Sequence, residues 1–296
     1  MNTDRIDDVA ASWKSIAESL KAGEASNPRS KRALVSGVGT LDDIVGGFFG
    51  GDLVLIAARP DMGNDSLALQ VANHAARDDA VVAVLSPKQD AGEVARRILA
   101  MDASVPIHAL QVGSLNDLER IAAKEALRVA RGRRLLIDDT PRLSTRSVRA
   151  KLSALRDEFR KVDLVVVDQF HMLDADRFDH SISRVEENSE VSRSLKAIAR
   201  EFECPVLVVC HIPRSPLEQR PDKRPVLADL RHLGTAETDA DLILFVYRDE
   251  LYDASTAAPG IAEIIVGRQR NGPLGTALAD FNAATGMLSA APQRGD

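Results

Sequence analysis

Gly51-Asp52-Leu53-Val54-Leu55-Ile56-Ala57-Ala58-Arg59-Pro60-Asp61-Met62-Gly63-Asn64-Asp65-Ser66 is the stretch on which the reading of this chain turns. Residues 53–59 form a short apolar run with strand character, Pro60 and Gly63 mark a tight loop, and apolar residues recur at helical spacing from Ser66 to Ala76. Strand, loop and helix start in that order make the frame of a phosphate-binding loop, where unpaired N–H groups and the positive end of the helix dipole face an anion. Gly63 stands where the backbone must approach phosphate closely. The next two positions should be lysine, for the β- and γ-phosphates, and serine or threonine, for magnesium. They are Asn64 and Asp65. A carboxylate aimed at phosphate repels it, and unit charges about 4 Å apart interact by roughly 4 kcal/mol at an effective dielectric near 20. Arg59, Pro60, Gly63, Asn64, Asp65 and Ser66 are therefore candidate nucleotide-binding positions in degenerate form. Asparagine and aspartate also cap helices well, so Asn64-Asp65-Ser66 is expected to satisfy the helix start from within the chain.

Working outward, further strand-like runs occur at 80–86, 135–139, 163–170, 205–211, 242–248, 262–269 and 276–281. Helical stretches lie at 91–101, 115–130, 145–160 and 184–202. Alternating strands and helices predict an α/β fold with a mostly parallel sheet flanked by helices on both faces. The last strands follow one another without long helices, which predicts an antiparallel extension at one edge. At the other end, Ile6, Val9, Ala10, Trp13, Ile16, Ala17 and Leu20 form one apolar stripe. This predicts an amphipathic helix within residues 1–23, a flexible linker over 24–32 and one domain over 33–296. The stripe either folds back on its own domain or docks on a neighbouring subunit.

The chain has 296 residues, 45% of them hydrophobic, enough to bury an ordinary core. A formal net charge of −6 argues against a broadly basic nucleic-acid coat, though it leaves room for local basic loops. Cys204 and Cys210 bracket an apolar strand and are too far apart along it for a normal disulfide. Two cysteines without a neighbouring His or Cys cluster do not make a zinc site, so both are expected to be buried. The start, Met1-Asn2-Thr3-Asp4-Arg5, has no apolar signal core, and no apolar run approaches the roughly 20 residues of a membrane helix. The cytoplasm is the expected compartment, and no membrane partner is expected.

With these motifs in place, the sequence resembles the C-terminal motor domain of DnaB-family replicative helicases, a superfamily 4 group. The resemblance runs from Val35 to Phe281. It rests on the 51–63 stretch, Ile137-Asp138-Asp139-Thr140-Pro141, Val165-Val166-Val167-Asp168 at the Walker B position, and Glu190-Val191-Ser192-Arg193-Ser194-Leu195-Lys196-Ala197. It continues through Asp222-Lys223-Arg224-Pro225, Asp229-Leu230-Arg231, Asp239-Ala240-Asp241, Tyr247-Arg248-Asp249-Glu250 and Arg268-Gln269-Arg270-Asn271-Gly272-Pro273. The resemblance implies a RecA-like P-loop NTPase fold, assembly into hexameric rings, Mg-ATP bound between subunits and single-stranded DNA in the central channel. It also implies that the N-terminal helix is a linker helix docking on the adjacent subunit.

The departures from the family pattern fall where the chemistry should be. Besides Asn64 and Asp65, the family's catalytic Glu after the second strand lies in a stretch that reads Ser86-Pro87-Lys88-Gln89 here, which puts Lys88 at the base. The Gln that senses γ-phosphate corresponds to His211. Phosphate positioning and water activation supply most of the catalysis in such sites, so little turnover is expected. Asp168, which would hold magnesium, is kept. Arg270 matches the family's trans-acting arginine finger, and Arg268 keeps a positive charge beside it. Lys88 has three readings: a partner for Asp168 or Asp65, a phosphate-binding lysine at a new position, or a solvated loop residue. For DNA, Arg214, Arg220, Lys223 and Arg224 sit in a proline-rich loop at the second DNA-loop position, which is otherwise a stiff solvated loop. The first DNA-loop position, 173–182, carries Asp174, Asp176 and Asp179 against Arg177 alone. No cofactor is certain, and Mg-ATP is expected only if the loop is rescued. Three functions stay open: a catalytically impaired paralogue that binds or regulates a helicase ring or DNA, a divergent active 5'-3' helicase, and a nucleotide-independent DNA-binding ring or filament. The expected partners are copies of this chain or a DnaB-type helicase in a mixed ring, and single-stranded DNA.

Overall fold

A computed structural model describes residues 33–176 and 183–291. The expected helix within 1–23, the linker over 24–32, Arg177 and Asp179 lie outside the described residues. In chain order the elements are α1 (Gly39–Val45), β1 (Leu53–Ala58), α2 (Asn64–Arg77), β2 (Val82–Leu85), α3 (Ala91–Ala103), α4 (Ile107–Val112) and α5 (Asp117–Ala130). Then come β3 (Leu135–Asp138), β4 (Leu143–Ser144), α6 (Thr145–Phe159), β5 (Leu164–Asp168), β6 (Leu173–Asp174), α7 (Arg184–Phe202), β7 (Val206–His211) and α8 (Arg214–Glu218). The chain closes with α9 (Ala236–Asp239), β8 (Leu242–Tyr247), β9 (Ile261–Gln269), β10 (Gly275–Asn282) and β11 (Met287–Ala290).

One sheet runs in the order β11-β10-β9-β8-β1-β7-β5-β2-β3. From β8 to β3 the pairs are parallel, and β9, β10 and β11 add the antiparallel edge that the closely spaced late strands predicted. Every residue of β1, β5 and β8 is buried, as a parallel sheet covered on both faces requires. Because side chains alternate along a strand, each strand feeds two cores. Val54, Ile56, Val166 and Leu207 pack under Leu67 and Val71 of α2. Leu55, Val165, Val167 and Val208 pack against Leu152 of α6 and Leu195 of α7 on the other face. Each such side chain stabilises the fold by about 1.5–3 kcal/mol, and Leu207→Ala is the kind of single change that costs about 2–5 kcal/mol.

The helices begin where short polar side chains reach their first turns. Asn116 with Glu119 and Ser183 with Glu186 form capping boxes on α5 and α7, and Ser144 caps α6. The sequence reading missed α1, α4, α8, α9, β4, β6 and β11 as elements, because each is too short to show a period. Both cysteines are free and buried, as expected. Among the described residues no helix is long and apolar enough to cross a membrane.

The strand order positions the site. After β1 the chain crosses to β2 on one side of the sheet, and after β7 it returns to β8 on the other side of β1. The loop after β1 thus opens at the carboxyl ends of the strands beside a switch in direction, where α/β sheets place their ligand crevices.

Candidate nucleotide and DNA sites

Gly63 takes the cap position of α2 with φ 100°, a conformation that favours glycine, and a Cβ there would press on the Phe281 ring at 2.9 Å. The expected self-capping by Asn64-Asp65-Ser66 is replaced by tertiary contacts. Asn64 is fully buried and its Nδ2 donates to the Cys210 carbonyl at 3.0 Å. Asp65 faces Arg97 of α3 at 3.3 Å, and the same guanidinium donates to Ser66 Oγ at 3.2 Å and Gln89 Oε1 at 3.3 Å. Burial alone would raise the Asp65 pKa. Arg97 and Lys88, with the residue's own backbone amide, outweigh it and hold the carboxyl below its ordinary range. The first turn of α2 therefore carries a carboxylate held in its charged form.

Lys88 is exposed and makes no ion pair among the described residues, so of its three readings the pairing with Asp168 or Asp65 is not found. Arg97 takes the place at Asp65, because α3 lays its middle beside the start of α2. One sequence signal pointed there: Arg97 lies between Val94 and Ile98 on the buried stripe of α3, where an arginine needs a partner. Asp168 ends β5 with its Oδ1 buried and unpartnered among the described residues. Burial, followed by the charge of Asp65, pushes it up to about 6 against the opposing pull of Lys88 and Arg97.

Arg59 is largely buried, 3.6 Å from Glu218. On the other side of the loop, Arg248 donates to the Asp61 carbonyl at 3.1 Å, pairs with Glu250 and stacks on Phe281 at 4.1 Å. His211, for which no partner was legible, meets Gln169 Nε2 at 2.9 Å. Burial, then the Lys88 charge, depress its pKa. Its carbonyl lies 3.1 Å from His232 Nε2, and His232 stands edge-on to His171 at 5.5 Å. At the end of β9, Arg268 donates to the Glu237 carbonyl at 2.9 Å. Arg270 pairs with Asp241 at 2.8 Å, and Asp241 also accepts from Lys196 and from the Leu53 amide.

The basic loop is folded upon itself. Arg220 pairs with Asp229 at 2.9 Å, Lys223 donates to the carbonyls of Glu218 and Arg220, and Arg224 pairs with Glu263 at 2.5 Å while lying over Tyr247. Arg214 alone of the four stays open, its side chain 79% exposed and 4.0 Å from Glu218. At the first DNA-loop position, Asp176 accepts from Thr145 Oγ1 at 2.8 Å.

A family model described as DnaB-like helicase C terminal domain matches residues 33–289. The chain belongs to that family. Over 247 residues this DnaB-like domain is 35% identical to the replicative DNA helicase DnaC of Bacillus subtilis (strain 168), covering 83% of this chain and 54% of that one. It is 38% identical over 233 residues to the replicative DNA helicase DnaB of Buchnera aphidicola subsp. Schizaphis graminum, covering 78% of this chain and 50% of that one. The chain thus spans about half the length of the curated relatives it matches. Among solved structures it resembles one described as an ATPase domain, with a TM-score of 0.88 at 27% identity over 98% of this chain and 100% of the other. It also resembles a DnaB-like replicative helicase studied with primase, at a TM-score of 0.85 and 27% identity over 98% of this chain and 68% of that one. The sheet flanked by helices is the RecA-like fold of those ATPase domains.

Proposed function

We propose that this DnaB-like domain is a catalytically impaired helicase paralogue that binds or regulates a helicase ring or DNA in replication. One observation carries the reading: the residue at the magnesium-hydroxyl position is an ionised aspartate held by Arg97, and the residue before it is a buried asparagine rather than a lysine. Charge at that point opposes a triphosphate, and Lys88 offers no base to orient water. Mg-ATP, the family's ligand, does not fit the loop as built.

The rest of the domain suits assembly. Arg270 is half exposed at the finger position, so a subunit without turnover of its own can complete a neighbour's site. Helix α5 buries only Ala123, and Leu118 is 80% and Ile121 64% exposed on it. An apolar face of that kind asks for a partner, and the amphipathic stripe of residues 6–20 in an adjacent copy has the matching character. With three of the four basic loop residues paired internally, direct DNA contact is the weaker part of the reading.

Calorimetric titration of the full chain with Mg-ATP, with and without single-stranded DNA, tests the proposal. The expected result is no saturable heat at millimolar nucleotide from a folded protein. Saturable binding would restore the divergent active helicase, with Lys88 and Arg97 as its phosphate-binding cations.

A further inference from the structure

The large sheet ends on β3, which among the described residues pairs with β2 alone. On that side the carbonyls of Arg134 and Asp138 accept from the Val82 and Ser86 amides. Backbone groups alternate in direction along a strand, so Arg134, Leu136 and Asp138 spend theirs on β2. Leu135 and Ile137 therefore turn their N–H and C=O groups outward, and no described strand meets them. All four residues of β3 are half-buried, so the edge is neither paired nor fully covered by the described residues. An open row of this kind is a template for another strand.

The charges beside it name the partner. An edge guarded by charges of one sign repels a second copy of itself. Here Arg134 and Asp138 flank Leu136 at equal distance with opposite signs. When two copies run antiparallel about Leu136, Arg134 of each lies opposite Asp138 of the other. Leu135 then lies opposite Ile137, and Leu136 opposite its own copy. The free backbone groups ask for the same register. Leu135 and Ile137 become the pairs that exchange both backbone hydrogen bonds, while Arg134–Asp138 and Leu136–Leu136 fall in the narrow pairs where side chains are closest.

Side-chain directions agree. Leu135 and Ile137 pack toward the core under α2, and Asp138 faces Lys151 of α6 on the opposite side of the sheet. Arg134, Leu136 and Asp138 thus share one face and meet their counterparts there. Arg134 is exposed and makes no ion pair among the described residues. Asp138 gives Oδ1 to the Thr140 amide and Oδ2 to Lys151, and each carboxylate oxygen can accept a further donor. We propose that β3 is a self-complementary edge through which two copies of this chain pair as a two-fold antiparallel dimer. The pairing is independent of whether the loop after β1 takes nucleotide. The strand is short, so a reversible dimer is expected rather than an obligate one.

Sedimentation equilibrium of the full chain over a range of concentrations tests this. Wild type should show a reversible step that doubles the mass. Arg134→Glu sets like charges opposite each other on both sides of the two-fold axis and should weaken that step by about tenfold or more. Adding Asp138→Arg restores opposite charges and should recover most of the loss. If the double variant fails to fold, Leu136→Cys decides instead. Facing residues of a narrow pair lie about 4.5 Å apart at Cα, within disulfide reach, so mild oxidation should link two copies there. The native cysteines are buried and stay out of that reaction. A folded wild type without a doubling step overturns the proposal. So does a doubling step indifferent to Arg134→Glu, which would assign it to another surface, and so does a Leu136→Cys variant that stays unlinked.

Discussion

The Asp65 carboxylate and the Arg97 guanidinium meet at 3.3 Å across the mouth of the loop, 32 residues apart in the chain, one on the first turn of α2 and the other in the middle of α3. Both side chains are mostly buried, at 20% and 15% exposure, so each depends on the other for its charge. Arg97→Ala leaves a buried carboxylate without its cation and is expected to cost about 2–4 kcal/mol of stability. Combining it with Asp65→Ala should recover most of that loss. A double-mutant cycle by urea denaturation measures the coupling, and additive losses would mean that the pair contributes little.

If the loop is impaired as proposed, Asn64→Lys with Asp65→Thr removes a carboxylate facing the phosphates and adds a cation. The repulsion relieved is on the order of 4 kcal/mol at most, so Mg-ATP affinity by calorimetry should rise by up to about a thousandfold, with each 1.4 kcal/mol worth a factor of ten. Phosphate release should stay at background, because Lys88 remains where a base is needed. Hydrolysis by this variant would show that water activation has another source in the chain.

Burial, with His232 and His211 beside it, pushes the His171 pKa down to about 4 from its ordinary 6.5. The folded state therefore favours neutral imidazole. Its contribution is complete above pH 6.5 and is lost as the pH falls from there through 4. His171→Gln should flatten the stability profile over that window by roughly 1–2 kcal/mol, at about 1.4 kcal/mol per tenfold change in proton affinity and discounted for partial exposure. Urea midpoints at pH 7, 5.5 and 4.5 read this directly, and parallel profiles for wild type and variant would remove His171 as the source.

Asp241 holds Arg270 and Lys196 against the start of β1. If this chain joins a ring with an active DnaB-type helicase, Arg270→Ala should lower the ATPase of the mixed assembly by at least about tenfold per affected interface, given that fingers contribute about 10³–10⁵. The measurement is phosphate release from co-purified complexes of matched stoichiometry. Unchanged release would restrict this chain to a passive role in the ring.

The sequence by itself determined the fold class and the parallel sheet with its antiparallel edge. Those facts are local: strand and helix periods repeat within a few residues, and the loop motif is contiguous. The tertiary structure decided the partner of each polar side chain in and around the loop. Asn64 finds Cys210 146 positions away, Asp65 finds Arg97, His211 finds Gln169, and the basic loop spends Arg224 on Glu263. These pairs join residues that only the β8-β1-β7-β5 strand order and the helices laid over it bring together. A charge on a helix or loop shows in the sequence as charge alone, and its partner is fixed by which element packs beside it.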